Sequence, residues 1–325
     1  LNMKYFSFMN ELKMINKNFI NLFGKPARKK NDIITDFYKN VAASIQNVLE
    51  EIILKICKNL VAKYKIKNIC LSGGVALNCV ANGRLLKSDL FNGIWVQPAA
   101  GDAGGALGAA LAYYKKKILN DKNGQDKIIK RHNITLETCN LGPSYSNQII
   151  KKFLDDIGAN YKILTNEELT RKAAVIISEG NTLAWFQGRM EFGPRALGNR
   201  SILGDPRSKT MQKDMNIKIK NRESFRPFAP VILDGFQKEY FNIDLESPYM
   251  LLTRTLSQKF LKKNLSNKKG LNKVNEIRSS VPAITHIDNS CRVQTLSKKR
   301  NPFFHSLLNE FYKVTNCPIL INRSF

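Results

Sequence analysis

The stretch Asn68-Ile-Cys-Leu-Ser-Gly-Gly-Val-Ala-Leu-Asn78 reads as a short buried strand, a break at Gly73-Gly74 and the opening of a helix over residues 75–86. Upstream, residues 40–65 predict a long helix. Val41, Ile45, Val48, Leu49, Ile52, Ile53, Ile56 and Leu60 recur there at spacings of three and four, which makes one apolar stripe. Downstream, Ile94-Trp-Val-Gln97 predicts a second strand stopped by Pro98, then a loop of small residues, then a helix over 106–117. Helix, strand, helix, strand, helix is the order of an α/β layer.

Residues 115–131 are polar and lysine-rich and contain Asn123-Gly124, so a domain boundary is placed there. The organisation expected is a first domain over 1–120, a lysine-rich linker over 121–139 and a second α/β domain over 140–325. In the second domain, helices are predicted over 146–157, 166–179, 209–220 and 301–314. Strands are predicted over 182–186, 228–233, 249–253 and 319–321. A low-complexity loop is expected over 258–275.

The 325 residues carry 43% hydrophobic side chains, enough for real cores, and no apolar run approaches a membrane span. No signal peptide is read at the N-terminus. The absence of a starting Met and the abrupt stop at Phe325 make both ends read as truncations. Cys57, Cys70, Cys79, Cys139, Cys291 and Cys317 show no metal-type spacing, so a reducing, cytoplasmic compartment is expected. The formal charge of +26 is spread along the chain among many Asn and Ile. It is therefore read as solvated surface more than as a polyanion-binding face, and nucleic acid is not expected as a partner.

Two constellations carry chemistry. Between strand and helix, Gly73, Gly74 and Asn78 form a junction where a backbone can approach a phosphate and helix N–H groups are free; a plain tight turn reads the same way. In Gly101-Asp-Ala-Gly-Gly105, Asp102 is the one acid of an apolar, glycine-rich stretch. It suits either a helix cap or a metal- or phosphate-site acid.

The second runs from Gln187 to Arg207 and holds four arginines among glycines. Arginine in rigid Gly/Pro surroundings suggests bidentate anion recognition. The following Asn216-Ile-Lys-Ile-Lys-Asn-Arg-Glu-Ser-Phe-Arg-Pro-Phe-Ala-Pro230 adds Lys220 and Arg226 among aromatic rings. The structural alternative is pairing of these arginines with Glu191 or Glu223.

Both constellations, with Ile94-Trp-Val-Gln-Pro-Ala-Ala-Gly-Asp102, Pro282-Ala-Ile-Thr-His-Ile-Asp288 and Arg292-Val-Gln-Thr295, closely resemble the carbamoyltransferase family that acts on nodulation factors, cephem precursors and aminoglycosides. The resemblance implies the second lobe of an actin-like/sugar-kinase ATPase domain followed by a YrdC-like domain, as a fragment lacking the N-terminal lobe. It implies that Gly73, Gly74 and Asn78 contact an adenylate. It also implies that Asp102 ligates a divalent metal, iron in type, whose other ligands are histidines on the missing lobe. Arg195, Lys220 and Arg226 are implied as catalytic residues and carbamoyl-phosphate ligands, with Arg292, Asn322 and Ser324 as further ligands. Arg323 departs from the family's Thr. His286 suits an acid/base role or a core role.

The function implied is O-carbamoyl transfer. Carbamoyl phosphate and ATP give carbamoyl-adenylate, and the carbamoyl group passes to a hydroxyl of a sugar or secondary metabolite. A homodimer fits the same resemblance. The rival readings are a protein of the tRNA-threonylcarbamoylation type and an inactive remnant.

Overall fold

The computed structural model describes residues 2–29, 31–120, 138–263, 273–274 and 276–325. The expected linker over 121–139, with His132, and the middle of the expected loop over 258–275 lie largely outside the described residues. Two compact units result, Leu1–Cys57 and Lys58–Phe325.

In the first unit, α1 (Lys17–Phe23) starts at Asn16, whose Oδ1 accepts from the N–H groups of Asn18 and Phe19. It stops at Gly24, which takes a φ of 67°. Helix α2 (Asp36–Tyr64) fulfils the predicted period. Yet Ile45, Val48, Ile52, Ile56 and Leu60 of its stripe are exposed, while Glu50 and Cys57 are buried. Periodicity sets the helix; it does not say what covers the face.

In the second unit, β1 (Asn68–Leu71) pairs in parallel with β2 (Gly93–Val96). The expectation that β1 is a buried strand is corrected: its residues alternate between exposed and half-buried, because β2 is its one paired neighbour among the described residues. A 3₁₀ turn over Gly74–Leu77 precedes α3 (Cys79–Lys87). That helix begins later than residue 75 because the Asn78 side chain caps it, accepting from Ala81 N–H at 3.1 Å. Helix α4 (Asp102–Asn120) begins earlier than residue 106.

The larger layer is a five-stranded sheet. Its strands are β3 (Leu183–Phe186), β4 (Arg200–Gly204), β9 (Ile319–Arg323), β5 (Ala229–Leu233) and β8 (Gln294–Leu296), in that spatial order. All pairings are antiparallel except β5 with β8. Helix α6 (Asn166–Ser178) and helix α8 (Pro302–Thr315) pack together. Ala173, Ala174 and Ile177 of α6 and Phe304, Leu307, Leu308 and Phe311 of α8 share the main core with Val231, Ile232, Ile319 and Ile321 of the sheet. Thr165 and Glu168 close a capping box on α6. The amphipathic helix expected over 146–157 is α5 (Asn147–Asp156).

Strand β4 lies inside the glycine- and arginine-rich stretch, where no element is predicted. Two expectations are corrected. The helix expected over 209–220 is a short α-turn, α7 (Met211–Asp214), continued by a π-turn over Met215–Ile219. There Lys220 N–H donates to the Met215 carbonyl at 3.0 Å, five residues back, which widens the turn. The strand expected over 249–253 is a buried loop through Leu252, and pairing begins only in β6 (Thr253–Thr255), against β7 (Ser290–Arg292). The α/β class stands. No described helix is long and apolar enough to cross a membrane.

Candidate functional site

The sheet brings the second constellation to one end. Antiparallel pairing sets Asn322 and Arg323, at the end of β9, beside the middle of β4, and Asn322 beside the start of β5. Arg292 closes β7, two residues before β8 begins. The segment from Lys220 to Arg226 leads into β5.

Buried Asn216 holds that segment. Its Nδ2 donates to the carbonyls of Ser224 at 3.1 Å and Arg226 at 2.8 Å, and its Oδ1 accepts from Arg222 Nε at 2.6 Å. The Arg222 guanidinium lies 5.1 Å from the centre of the Phe228 ring. Lys220 Nζ donates to the Ser324 carbonyl at 3.1 Å, so Ser324 enters the site through its backbone.

Glu191 fixes the preceding loop. Its Oε1 accepts from the N–H groups of Leu197 at 2.7 Å, Asn199 at 2.8 Å and Arg200 at 3.3 Å. From the loop so held, Arg195 Nη2 donates to the Leu77 carbonyl at 3.2 Å. Leu77 ends the 3₁₀ turn that follows Gly73-Gly74. The two constellations, 118 residues apart at this contact, therefore meet. Gly193, at a φ of 129°, completes the join: a Cβ there would sit 3.0 Å from the Pro98 carbonyl oxygen. A second small core, including Ala76, Val96, Ala100, Leu197, Ala229 and Met250, lies beneath.

Electrostatics describe what the cluster lacks. Burial pushes Arg292 down to about 10, with Arg195 and Arg323 adding to it. Burial, Arg323 and Arg226 push Arg222 down to about 10. Lys220 is lowered by burial, Arg323 and Arg222, and Arg323 by burial, Arg195 and Arg226. Cations repel one another here with little acid between them. Among the described residues, Arg195 Nε, Arg222 Nη2, Arg292 Nε, Arg323 Nε and Asn322 Oδ1 are buried polar atoms without a hydrogen-bond partner. Buried donors left unmade are costly, and several within one cationic cluster suit an anion.

The sequence alternative of Arg–Glu pairing is settled residue by residue. Glu191 serves backbone N–H groups. Glu223 pairs with Arg226 Nε at 2.9 Å, leaving Arg226 half-exposed. Arg207 is structural, with Nε and Nη2 both on the Asp205 carboxylate and its guanidinium over Phe311. Sequence reasoning did not nominate Arg222, Gln294, Asn216 or Glu191. Glu191 had a signal, as the one acid between Gly188 and Asp205. Arg222 had one too, as an arginine where this chain mostly uses lysine.

Around the first constellation, Gly73 takes a φ of 96° and its N–H donates to the Ala100 carbonyl at 2.7 Å. Gly74 is exposed, and a Cβ built on it meets nothing within 4 Å. No neighbour demands that glycine, so its backbone stays open to a ligand. Asp102 is the first residue of α4 and exposed, inside the first turn and not at the cap. No group of three or more His, Cys, Asp or Glu that could hold a metal occurs among the described residues. Asp102 thus offers one exposed carboxylate, which would supply a single ligand of the implied metal.

His286 stands apart. Its Nδ1 lies 3.1 Å from Ser290 Oγ, and burial pushes its pKa down to about 4. It lines a cavity of about 370 Å³ with Gln212, Phe225, Pro227, Arg278 and Asp288.

Residues 1–111 match the family model described as "Carbamoyltransferase N-terminus", and residues 174–325 match "Carbamoyltransferase C-terminus". The chain is 46% identical over 330 residues to the protein sll1178 of Synechocystis sp., covering 100% of this chain and 53% of the relative. It is 37% identical over 300 residues to nodulation protein NolNO of Sinorhizobium fredii (92% of this chain, 40% of the relative). It is also 37% identical over 303 residues to nodulation protein NolO of Bradyrhizobium diazoefficiens (92% and 50%). The chain thus spans about half the length of these relatives.

Proposed function

The chain belongs to the carbamoyltransferase family, and we propose that it binds carbamoyl phosphate and ATP and carries the carbamoyl group toward a hydroxyl of a small sugar or secondary metabolite. One observation carries this reading: Arg195, Arg222, Arg292 and Arg323 each keep a buried guanidinium donor without a partner within one cluster of mutually repelling cations, and Arg195 of that cluster reaches Leu77 at the end of the turn that follows Gly73-Gly74. We further read β1, β2 and their helices as the second lobe of an actin-like domain, the five-stranded sheet as YrdC-like, and the compartment as cytoplasmic.

In the proposed sequence, water releases phosphate from carbamoyl phosphate and leaves carbamate. A carbamate oxygen attacks the α-phosphorus of ATP, giving carbamoyl-adenylate and pyrophosphate. An acceptor hydroxyl then attacks the carbamoyl carbon, loses its proton and releases AMP. The arginines and Lys220 neutralise phosphoryl charge and orient the anions. Asn322 Oδ1, a buried acceptor without a partner on the same strand end as Arg323, is suited to the carbamoyl NH₂ group. Gly73, Gly74 and the N-terminus of α3, capped by Asn78, lie where an adenylate phosphate would rest. No step is assigned to a metal.

The test is pyrophosphate release from ATP. It is expected to require carbamoyl phosphate and to collapse in Arg292→Ala. Release that ignores carbamoyl phosphate, or none with both substrates present, overturns the proposal. The charge of +26 favours an RNA partner as second reading. Transfer RNA binding that falls steeply with salt and competes with carbamoyl phosphate would support it.

A further inference from the structure

The anion cluster holds more positive charge than one phosphoryl group can answer. Arg195, Lys220, Arg222, Arg226, Arg292 and Arg323 act on one another, and the acid in direct contact is Glu223, already paired with Arg226. A single phosphoryl dianion leaves several cations unanswered in a partly buried setting, where such repulsion is screened little.

The cations form two groups. Arg195 and Arg292 make an inner pair near Leu77 and Cys79, at the glycine turn. Lys220, Arg222 and Arg226 sit on the segment organised by Asn216. Arg323 belongs to neither. It ends β9, opposite Ile202 of β4, next to the Ser324 whose carbonyl receives Lys220. Its charge bears on Arg292 from one group and on Lys220 and Arg222 from the other. Its Nε is buried without a partner, and among the described residues no carboxylate or carbonyl engages its side chain. A half-buried guanidinium with no internal task, between two cationic groups, is placed to serve ligands on both sides.

We propose that Arg323 makes this a two-phosphoryl site: it bridges an inner and an outer phosphoryl position and so selects anions bearing two linked phosphoryl groups over those bearing one. The inference rests on reading the cluster as an anion site. It adds that Arg323 is the specificity-determining residue, where a threonine would leave a one-phosphoryl pocket. The planar fork matters as well as the charge, since two edges of one guanidinium can address two oxygens at a fixed angle.

Calorimetric titration of the whole chain with inorganic phosphate and with inorganic pyrophosphate tests it. Wild type is expected to bind pyrophosphate at least about tenfold tighter than phosphate, the scale of one added charge-assisted hydrogen bond. Arg323→Thr is expected to weaken pyrophosphate by about ten- to a hundredfold and phosphate by less than about threefold. Should Arg323→Thr not fold, Arg323→Lys keeps a cation on the strand and is expected to lose pyrophosphate selectivity in part. Equal loss of both anions, or of neither, overturns the bridging role. In that case Arg292→Ala, still weakening phosphate binding by about ten- to a hundredfold, would leave the anion-site reading standing. Wild type binding neither anion overturns both.

Discussion

Asn322 Nδ2 donates to Gln294 Oε1 at 2.8 Å, and Gln294 Nε2 in turn donates to the Leu197 carbonyl at 2.9 Å. This buried relay ties the end of β9 to the start of β8 and to the loop that carries Arg195. It also fixes the Asn322 amide, whose Oδ1 stays buried without a partner. Gln294→Leu removes the relay while keeping volume. It is expected to weaken carbamoyl phosphate binding by about three- to thirtyfold and to lower stability by about 1–3 kcal/mol, since Asn322 and Leu197 are left unsatisfied. Urea denaturation alongside titration checks both; an unchanged protein would remove the positioning role.

Among the cations, single alanine substitutions of Arg195, Lys220 or Arg292 are expected to weaken carbamoyl phosphate binding by about ten- to a hundredfold. Arg226→Ala should lose less, because half of that side chain is exposed and its Nε is held by Glu223. Lys262→Ala, at an exposed position, is the control. Isothermal titration of folded variants decides, and equal affinities throughout would make these residues structural.

Asn216 is the strongest structural demand of the site. It is fully buried and serves three partners. Asn216→Ala should cost about 2–4 kcal/mol, combining a small cavity with unsatisfied carbonyls and a freed Arg222. A shift in urea midpoint below the equivalent of about 1 kcal/mol would contradict the keystone role.

Gly198 is required by conformation and by contact. It takes a φ of 110°, and a Cβ there would collide with the Phe304 ring. Gly198→Ala should destabilise by more than about 2 kcal/mol through strain and overpacking. Thermal unfolding reads it, and an unchanged midpoint would be a contradiction.

The pH dependence of stability isolates His286. Its folded pKa is about 4 against an ordinary value of 6.5, so the unfolded chain takes up a proton that the folded chain refuses. That contribution is complete above pH 6.5 and drains away as pH falls toward 4. It amounts to at most about 3 kcal/mol. The lowered carboxylates, such as Asp155 and Asp288, titrate below this window. His286→Gln should flatten the stability curve between pH 6.5 and 4.5; an identical curve would assign the slope elsewhere.

What the sequence by itself determined is local: the period of α2 and α5, the glycine turn before α3, the apolar strands β5 and β9, and the family wording around Arg195, Lys220, Arg226 and Arg292. These follow from neighbours within a turn or two along the chain, where side-chain spacing and backbone freedom act directly. Exposure of the α2 stripe and of β1, the π-turn before Lys220 and the strand hidden at 200–204 were not legible, because each depends on which distant segment pairs or packs there. The same holds for chemistry. Arg207 and Arg195 are equivalent in a glycine-rich string, yet one is satisfied by Asp205 and the other reaches Leu77 with a buried donor to spare. Only the tertiary structure decided which charges are paired and which keep a buried donor without a partner, because desolvation and Coulomb energy depend on distance in space, and sequence separation does not report it.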